Sequence, residues 1–324
     1  MSEIALSVVA VIIGFTLLVW GADRFVHGAS ATARNLGVSP LIIGLTIVGF
    51  GTSAPEILVS IVSALEGNPG LAVGNALGSN ITNIGLVLGV TALITPLVVK
   101  SETLRREYPA MFAVMLLTLA LMVDGDLSRT DGFILLAGLG LMIFWMINIG
   151  LRKNRVDPME YEYAQEIPLI STQKALLWLL AGFLVLLFSS RILVWGSINI
   201  AHAIGVSDLV IGLTIVAIGT SLPELAASVM SALKKEPDIA IGNVIGSNMF
   251  NLLAVLGTPA VIAPMQLEAG ILNRDYPFMI GLSIALFTMA YGFRKDGRVN
   301  RLEGGLLLLA YIVYMTVLYF SIKG

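Results

Sequence analysis

The sequence predicts an all-α polytopic membrane protein whose ten transmembrane helices form two inverted five-helix repeats. Three observations predict it. The chain of 324 residues is 57% hydrophobic and 12% charged, with a mean hydropathy of +0.91; soluble domains average about 45–50% and 25%. Residues 37–89 recur without a gap as residues 205–257, at a shift of 168, with roughly 30 of 53 positions identical. Basic residues gather on one side of the membrane once ten crossings are drawn.

Apolar runs of about 18–22 residues recur along the whole length, each enough to cross a hydrocarbon core. In the first half they place crossings at about 4–33, 40–65, 70–95, 108–124 and 130–150. In the second half they place them at about 172–202, 208–233, 238–262, 276–293 and 303–321. A β-barrel would need short alternating segments, and the sequence lacks them. The opening MSEIALSVVAVIIGFTLLVW has no basic n-region and no small-residue cleavage site, so it reads as a retained first helix. The chain thus divides into a first repeat (1–150), a polar cytoplasmic linker carrying Pro158 and Pro168 (151–171), and a second, inverted repeat (172–324). The duplication reaches beyond the core segment. Arg106-Glu107-Tyr108-Pro109 matches Arg274-Asp275-Tyr276-Pro277 at the shift of 168, and Arg129-Thr130-Asp131-Gly132 resembles Arg301-Leu302-Glu303-Gly304 at 172.

Five crossings per half is odd, so the second half enters from the side opposite to the first. With both termini extracytoplasmic, the cytoplasmic loops hold 14 basic residues, among them Lys100, Arg105, Arg106, Lys234, Lys235, Arg298 and Arg301. The outer side keeps 3: Arg129, Arg274 and Lys323. This is the positive-inside pattern of a plasma (inner) membrane protein, and inverted repeats are the architecture of many secondary transporters. The net charge of −2 offers no footprint for nucleic acid, and without cysteine neither a disulfide framework nor a thiolate metal site is possible.

Each repeat holds one glutamate in an otherwise apolar run, Glu56 and its counterpart Glu224. An ionisable group at membrane depth is costly and marks a functional site by default. The surroundings point the same way. Gly49-Phe50-Gly51-Thr52-Ser53-Ala54-Pro55-Glu56 has as its twin Ala217-Ile218-Gly219-Thr220-Ser221-Leu222-Pro223-Glu224. Proline removes a backbone donor and breaks the helix, which frees carbonyls one turn back. Those carbonyls and the Thr and Ser hydroxyls are hard oxygen ligands beside the carboxylate. The next helix of each half brings Gly74-Asn75-Ala76-Leu77-Gly78-Ser79-Asn80-Ile81-Thr82-Asn83, or Gly242-Asn243-Val244-Ile245-Gly246-Ser247-Asn248-Met249-Phe250-Asn251. Ser79 and Asn83 share a helix face, as do Ser247 and Asn251. An all-oxygen inventory without histidine suits Ca²⁺ or Na⁺ and argues against zinc or copper.

Other polar residues have plainer readings. Asn75 and Asn243 read as residues that pack or hydrogen-bond between helices. Asp23, Arg24 and Arg191 read as ion-paired or snorkelling side chains. His27 and His202 do not correspond under the repeat shift and read as interface residues, and Met159-Glu160-Tyr161-Glu162 reads as a solvated face.

The paired GTS-x-PE and GN-x-x-GSN-x-x-N motifs resemble the repeats of the calcium/cation antiporter superfamily, and among its members the bacterial and archaeal sodium/calcium exchangers. The resemblance covers essentially the whole chain. It implies Glu56 and Glu224 as shared ligands of Ca²⁺ and Na⁺, with Thr52, Ser53, Ser79, Thr220, Ser221 and Ser247 supplying hydroxyl or backbone oxygens. It further implies the carbonyls of Gly49 and Ala217 at the edges of the cluster, and Asn83 and Asn251 completing it. Some members carry aspartate where Asn251 stands; the amide leaves two acids, a formal −2 that balances one Ca²⁺ or two Na⁺. The expected function is Na⁺/Ca²⁺ antiport by alternating access, with the lipid bilayer and the two ions as partners and no cofactor. The first and sixth helices, long and poor in ligands, would slide against the ligand-bearing bundle. The rival reading is proton/Ca²⁺ antiport, whose members tend to have Asn where Thr52 and Thr220 stand. A gated channel usually builds its filter from oligomeric symmetry, whereas this chain contains its own two-fold and is expected to work as a monomer. An enzyme would need a nucleophile–base pair or a metal–histidine site, and neither histidine lies near the motifs.

Overall fold

The computed structural model describes residues 3–37, 40–65, 67, 69–99, 101–151, 170–203, 217–268, 270–291 and 297–323. Most of the linker, with Glu160 and Glu162, and the start of the expected seventh crossing lie outside the described residues.

The chain opens with α1 (Glu3–Leu36). The expected second crossing is built in pieces: α2 (Pro40–Ile43), a π-helical stretch Gly44–Val48, α3 (Gly49–Thr52) and α4 (Ala54–Leu65). The third is α5 (Pro69–Thr82), a π stretch Asn83–Leu88 and α6 (Gly89–Ile94). Strand β1 (Leu97–Val98), α7 (Ser101–Met122), β2 (Asp126–Leu127) and α8 (Arg129–Leu151) complete the first half. The second half runs α9 (Thr172–Ala203), α10 (Ala217–Thr220), α11 (Leu222–Leu233), α12 (Pro237–Phe250), a π stretch Asn251–Val255 and α13 (Gly257–Ile262). It ends with β3 (Met265–Gln266), a π stretch Ile271–Asp275, α14 (Tyr276–Tyr291), β4 (Arg298–Val299) and α15 (Arg301–Lys323).

Among the described residues six helical stretches are long and apolar enough to cross a membrane, or seven when the bent pair Gly44–Thr52 and Ala54–Ile61 is counted as one. This is a multi-pass, mostly helical membrane protein. The α7 helix opens on a charged turn, and α11 and α14 are short, so these three do not qualify on length and polarity alone. The expected fourth crossing began at 108, after the charged residues; α7 instead starts at Ser101 and carries Pro109 inside it. Composition marks where a chain can enter a membrane, and a helix can begin two turns earlier.

Burial sorts the spans. The apolar window of Pro237–Ile262 is 100% buried, against 22% for Ile4–Leu36. The α5–α6 and α12–α13 spans therefore form the core, and α1, α8, α9 and α15 present apolar side chains such as Phe15, Phe144, Phe188 and Phe320 outward. Such a surface is what lipid solvates. The long helices α1 and α9 lie along each other at close range. A Cβ on Gly28 would strike the Leu179 backbone, and one on Gly182 would strike that of Phe25. Small residues allow this approach where lipid supplies no hydrophobic drive between helices.

Two details echo the repeat. Strand β1 pairs antiparallel with β4, and β2 with β3; the sequence shifts carry β1 onto β3 and β2 onto β4, so the pairings exchange. The starts of α8 and α15 are closed alike. Asp131 Oδ2 accepts from Ser128 N (2.8 Å) and Glu303 Oε2 from Asn300 N (2.7 Å); each cap satisfies a backbone donor at a helix entrance.

Candidate functional site

The GTS-x-PE sequence breaks the second crossing where it reads as broken. Helix α3 ends at Thr52, Ser53 adopts φ −80°, ψ 0°, and the flanking stretches Gly44–Thr52 and Ala54–Ile61 diverge by 48°. Ser221 takes the matching conformation, φ −90°, ψ 6°, between α10 and α11. Pro55 and Pro223 then occupy the first turn of α4 and α11, where a missing N–H costs nothing. Glu56 and Glu224 follow in the same first turns. There the positive end of the helix dipole favours a carboxylate that has left water.

The two carboxylates are buried, each with 1% relative exposure, and Glu224 lies within electrostatic reach of Glu56. Neither oxygen of Glu56 has a hydrogen-bond partner, nor has Oε2 of Glu224. The same holds for Ser53 Oγ, Ser221 Oγ, Asn83 Oδ1 and Asn251 Oδ1. These seven oxygens belong to three pairs of repeat counterparts. A buried polar atom left unsatisfied costs about 1–3 kcal/mol, and native interiors hold few of them. All seven are acceptors and include no nitrogen, which is the donor set a hard cation satisfies.

Thr52 and Ser247 are buried at the contact of α3 with α12. Thr52 Oγ1 donates to Asn243 Oδ1 (2.9 Å), and Ser247 Oγ donates to the Gly49 carbonyl (3.2 Å). The two hydroxyl oxygens lie 3.3 Å apart, and either can be the donor. The approach depends on glycine: a Cβ on Gly49 would press on Ser247 N at 3.1 Å, and one on Gly246 would collide with the Leu45 carbonyl of the preceding π stretch. Gly49 O accepts from Ser53 N (3.1 Å) as well as from Ser247, so in this conformation it is engaged in hydrogen bonds. At the other break Ser221 N donates to Ile218 O (3.1 Å) instead of to Ala217 O. Ser79 is buried on α5 and Thr220 half-buried at the end of α10.

Asn75 and Asn243 hydrogen-bond between helices, as their sequence reading expects. Asn75 Nδ2 donates to the Glu56 carbonyl (3.1 Å) and Ser60 Oγ (3.2 Å). Asn243 Nδ2 does the same to the Glu224 carbonyl (3.3 Å) and Ser228 Oγ (3.0 Å). Each tethers the backbone of the glutamate on the neighbouring broken helix. Sequence reasoning also passed over Asn80 and Asn248, which bond across the core to Asn251 and Asn83. The signal that finds all four was present: each is repeated at the shift of 168.

Asp23 and Arg24 pair as expected. Lys234 Nζ lies 2.7 Å from Asp23 Oδ1, and Arg24 stacks 4.9 Å over the Trp178 ring. Among the described residues no three His, Asp or Glu side chains gather as a metal cluster would. The two glutamates are thus joined by neutral oxygens only.

Comparison with known proteins points to one family. Residues 6–148 and 174–320 match the family described as sodium/calcium exchanger protein. The putative antiporter CaxA of Alkalimonas amylolytica is 50% identical over 312 residues, 96% of this chain and 98% of that protein. The sodium/calcium exchanger MaX1 of Methanosarcina acetivorans is 30% identical, over 98% of this chain and 99% of its own. The solved structure of the sodium-calcium exchanger NCX_Mj superposes with TM-score 0.81 at 31% identity, covering 97% of this chain and 99% of that one.

Proposed function

This chain belongs to the sodium/calcium exchanger protein family, and from that premise we propose that it exchanges Na⁺ for Ca²⁺ by alternating access, at a site built on Glu56 and Glu224. Membership makes it a transporter and not an enzyme, of the cation/Ca²⁺ antiport class, with Na⁺ and Ca²⁺ as the substrates of its family.

The single observation that carries the site is the set of seven buried, unpartnered oxygens on Glu56, Ser53, Asn83 and their counterparts. Ca²⁺ between the two carboxylates would gain from both charges at once; Na⁺ needs more than one ion to offset the same field. Thr52, Ser79, Thr220, Ser247 and the carbonyls of Gly49 and Ala217 complete the proposed ligand set. Alternating access would free the Gly49 carbonyl from Ser247 and engage its twin, so that each face is served in turn.

The architecture proposed with it is ten helices in two inverted repeats, 1–150 and 172–324, joined by a cytoplasmic linker, in the inner (plasma) membrane with both termini outside. The exchanged strand pairings and the matched helix caps support this arrangement. So does the distribution of basic residues. A monomer holds both halves of the site and is proposed to suffice. Coupling to Na⁺ in place of H⁺ rests on Thr52 and Thr220 and on the named relatives. The test is ⁴⁵Ca²⁺ uptake into proteoliposomes under an imposed Na⁺ gradient, with and without a pH gradient. Uptake that follows Na⁺ supports the reading; uptake that ignores Na⁺ and follows pH assigns the protein to proton exchange.

A further inference from the structure

Asn83 and Asn251 each carry an amide, and an amide has two chemically opposite ends. Its oxygen attracts a cation and its NH₂ repels one. Rotation by half a turn about the last torsion exchanges the two at little steric cost, so something must decide which end faces the site. In this fold the decision is made across the core. Asn251 Nδ2 donates to Asn80 Oδ1 (3.1 Å), and Asn83 Nδ2 donates to Asn248 Oδ1 (3.1 Å). Both bonds leave the partner oxygen, Oδ1 of Asn251 or of Asn83, buried and unpartnered.

The orienting residue is itself oriented. Asn80 Nδ2 donates to the Asn248 carbonyl (3.2 Å) and lies 3.4 Å from Met279 Sδ. That fixes the Asn80 amide with its oxygen toward Asn251. Asn80 and Asn248 are both buried, with 1% and 2% relative exposure, so water does not compete for these bonds.

We infer that Asn80 and Asn248 are positioning residues for the cation site: they hold the Asn251 and Asn83 amides with oxygen inward and NH₂ outward, and so set cation affinity without touching the ion. The inference rests on the proposed ligand role of Asn83 and Asn251. It makes the orientation a property of the crossed pairs 80–251 and 83–248, each spanning the two halves of the chain.

The experiment is a double-mutant cycle read by half-saturating Ca²⁺ concentration and by maximal rate in ⁴⁵Ca²⁺ exchange. Asn80→Leu removes the acceptor while filling the same space. It should raise half-saturating Ca²⁺ at least tenfold while changing the maximal rate less. In the Asn251→Asp background the side chain presents an oxygen whichever way it turns, and the same Asn80→Leu change should then alter half-saturating Ca²⁺ by less than threefold. An equal loss in both backgrounds overturns the inference, because it makes the effect of Asn80 one of packing. Asn251→Ala separates this from the ligand assignment. If Asn251→Ala leaves Ca²⁺ affinity unchanged, the assignment of Asn251 to the site fails. If Asn251→Ala weakens Ca²⁺ and Asn80→Leu does not, the assignment stands and the positioning role alone is refuted. Melting of each purified variant without Ca²⁺ identifies any that fail to fold, and Asn248→Leu with Asn83→Asp then repeats the cycle on the other pair.

Discussion

Glu56→Gln separates stability from function in opposite directions. The side chain is buried and both its oxygens lack partners, so in the ion-free protein its charge is a cost. The amide is nearly the same shape and carries no charge, which removes that cost. The variant should therefore melt higher than the native protein when no Ca²⁺ is present. Ca²⁺ binding should change the other way. Two unit charges about 4 Å apart interact by about 4 kcal/mol at an effective dielectric of about 20, and a divalent ion doubles the figure. Desolvation and the amide's own dipole offset a large part of it. Breaking a buried charge pair by removing one partner costs about 3–5 kcal/mol in practice. At about 1.4 kcal/mol per factor of ten, the lower end already exceeds a hundredfold loss of affinity. The assay is thermal unfolding in detergent across a Ca²⁺ series. Native protein should gain about 2.7 kcal/mol at a hundred times its dissociation constant, and the variant less than about 0.4 kcal/mol at the same concentrations. Glu224→Gln should behave alike, because the two lie at matching places in the first turns of α4 and α11. A variant that melts lower without Ca²⁺ yet keeps the native Ca²⁺ response would refute the reasoning.

Ser53→Ala and Ser221→Ala each remove one unpartnered buried hydroxyl and should weaken Ca²⁺ by roughly tenfold, about 1–1.5 kcal/mol; calorimetric titration reads this, and no change in either removes the serines from the ligand set. Single cysteines replacing Asp124 and Arg298 in this cysteine-free chain should label from opposite sides of intact vesicles, since Asp124 precedes β2 and Arg298 begins its repeat counterpart β4. Labelling from one side would end the inverted-repeat arrangement. Gly246→Val drives a side chain into the Leu45 carbonyl and should cost at least about 1–3 kcal/mol, as overpacking does; a melting temperature equal to the native one would contradict the close approach of α12 to the Gly44–Val48 stretch.

The broken helices were legible because their cause is local. Gly51 and Pro55 sit within one turn of each other, and the chain bends where Ser53 stands. The duplication made Glu56 and Glu224 conspicuous for the same reason, since an acid in an apolar run is visible without knowing what surrounds it. The orienting roles of Asn80 and Asn248 were not legible, because each acts on a residue of the other half of the chain. Pattern places Asn80 on a helix face but cannot say that Asn251 lies opposite. The particular partners of Asn243 are hidden for the same reason: Glu224 and Ser228 lie one helix away, and Thr52 in the other half. The early start of α7 escaped because its first turns are charged, and hydropathy marks the membrane boundary, not the end of the helix. The engagement of the Gly49 carbonyl by Ser247 depends on the conformation described and has no sequence signal at all.

The central claim is that Na⁺ and Ca²⁺ use the same buried oxygens between Glu56 and Glu224. Equilibrium ⁴⁵Ca²⁺ binding to the purified protein, titrated with Na⁺ at constant ionic strength and pH, tests it most directly. Shared oxygens predict that Na⁺ displaces Ca²⁺ completely, with a Hill coefficient above one, and that raising Ca²⁺ restores full occupancy. Ca²⁺ binding that stays constant as Na⁺ rises, or that falls to a plateau no further Na⁺ can lower, would place the two ions at separate sites and contradict the account.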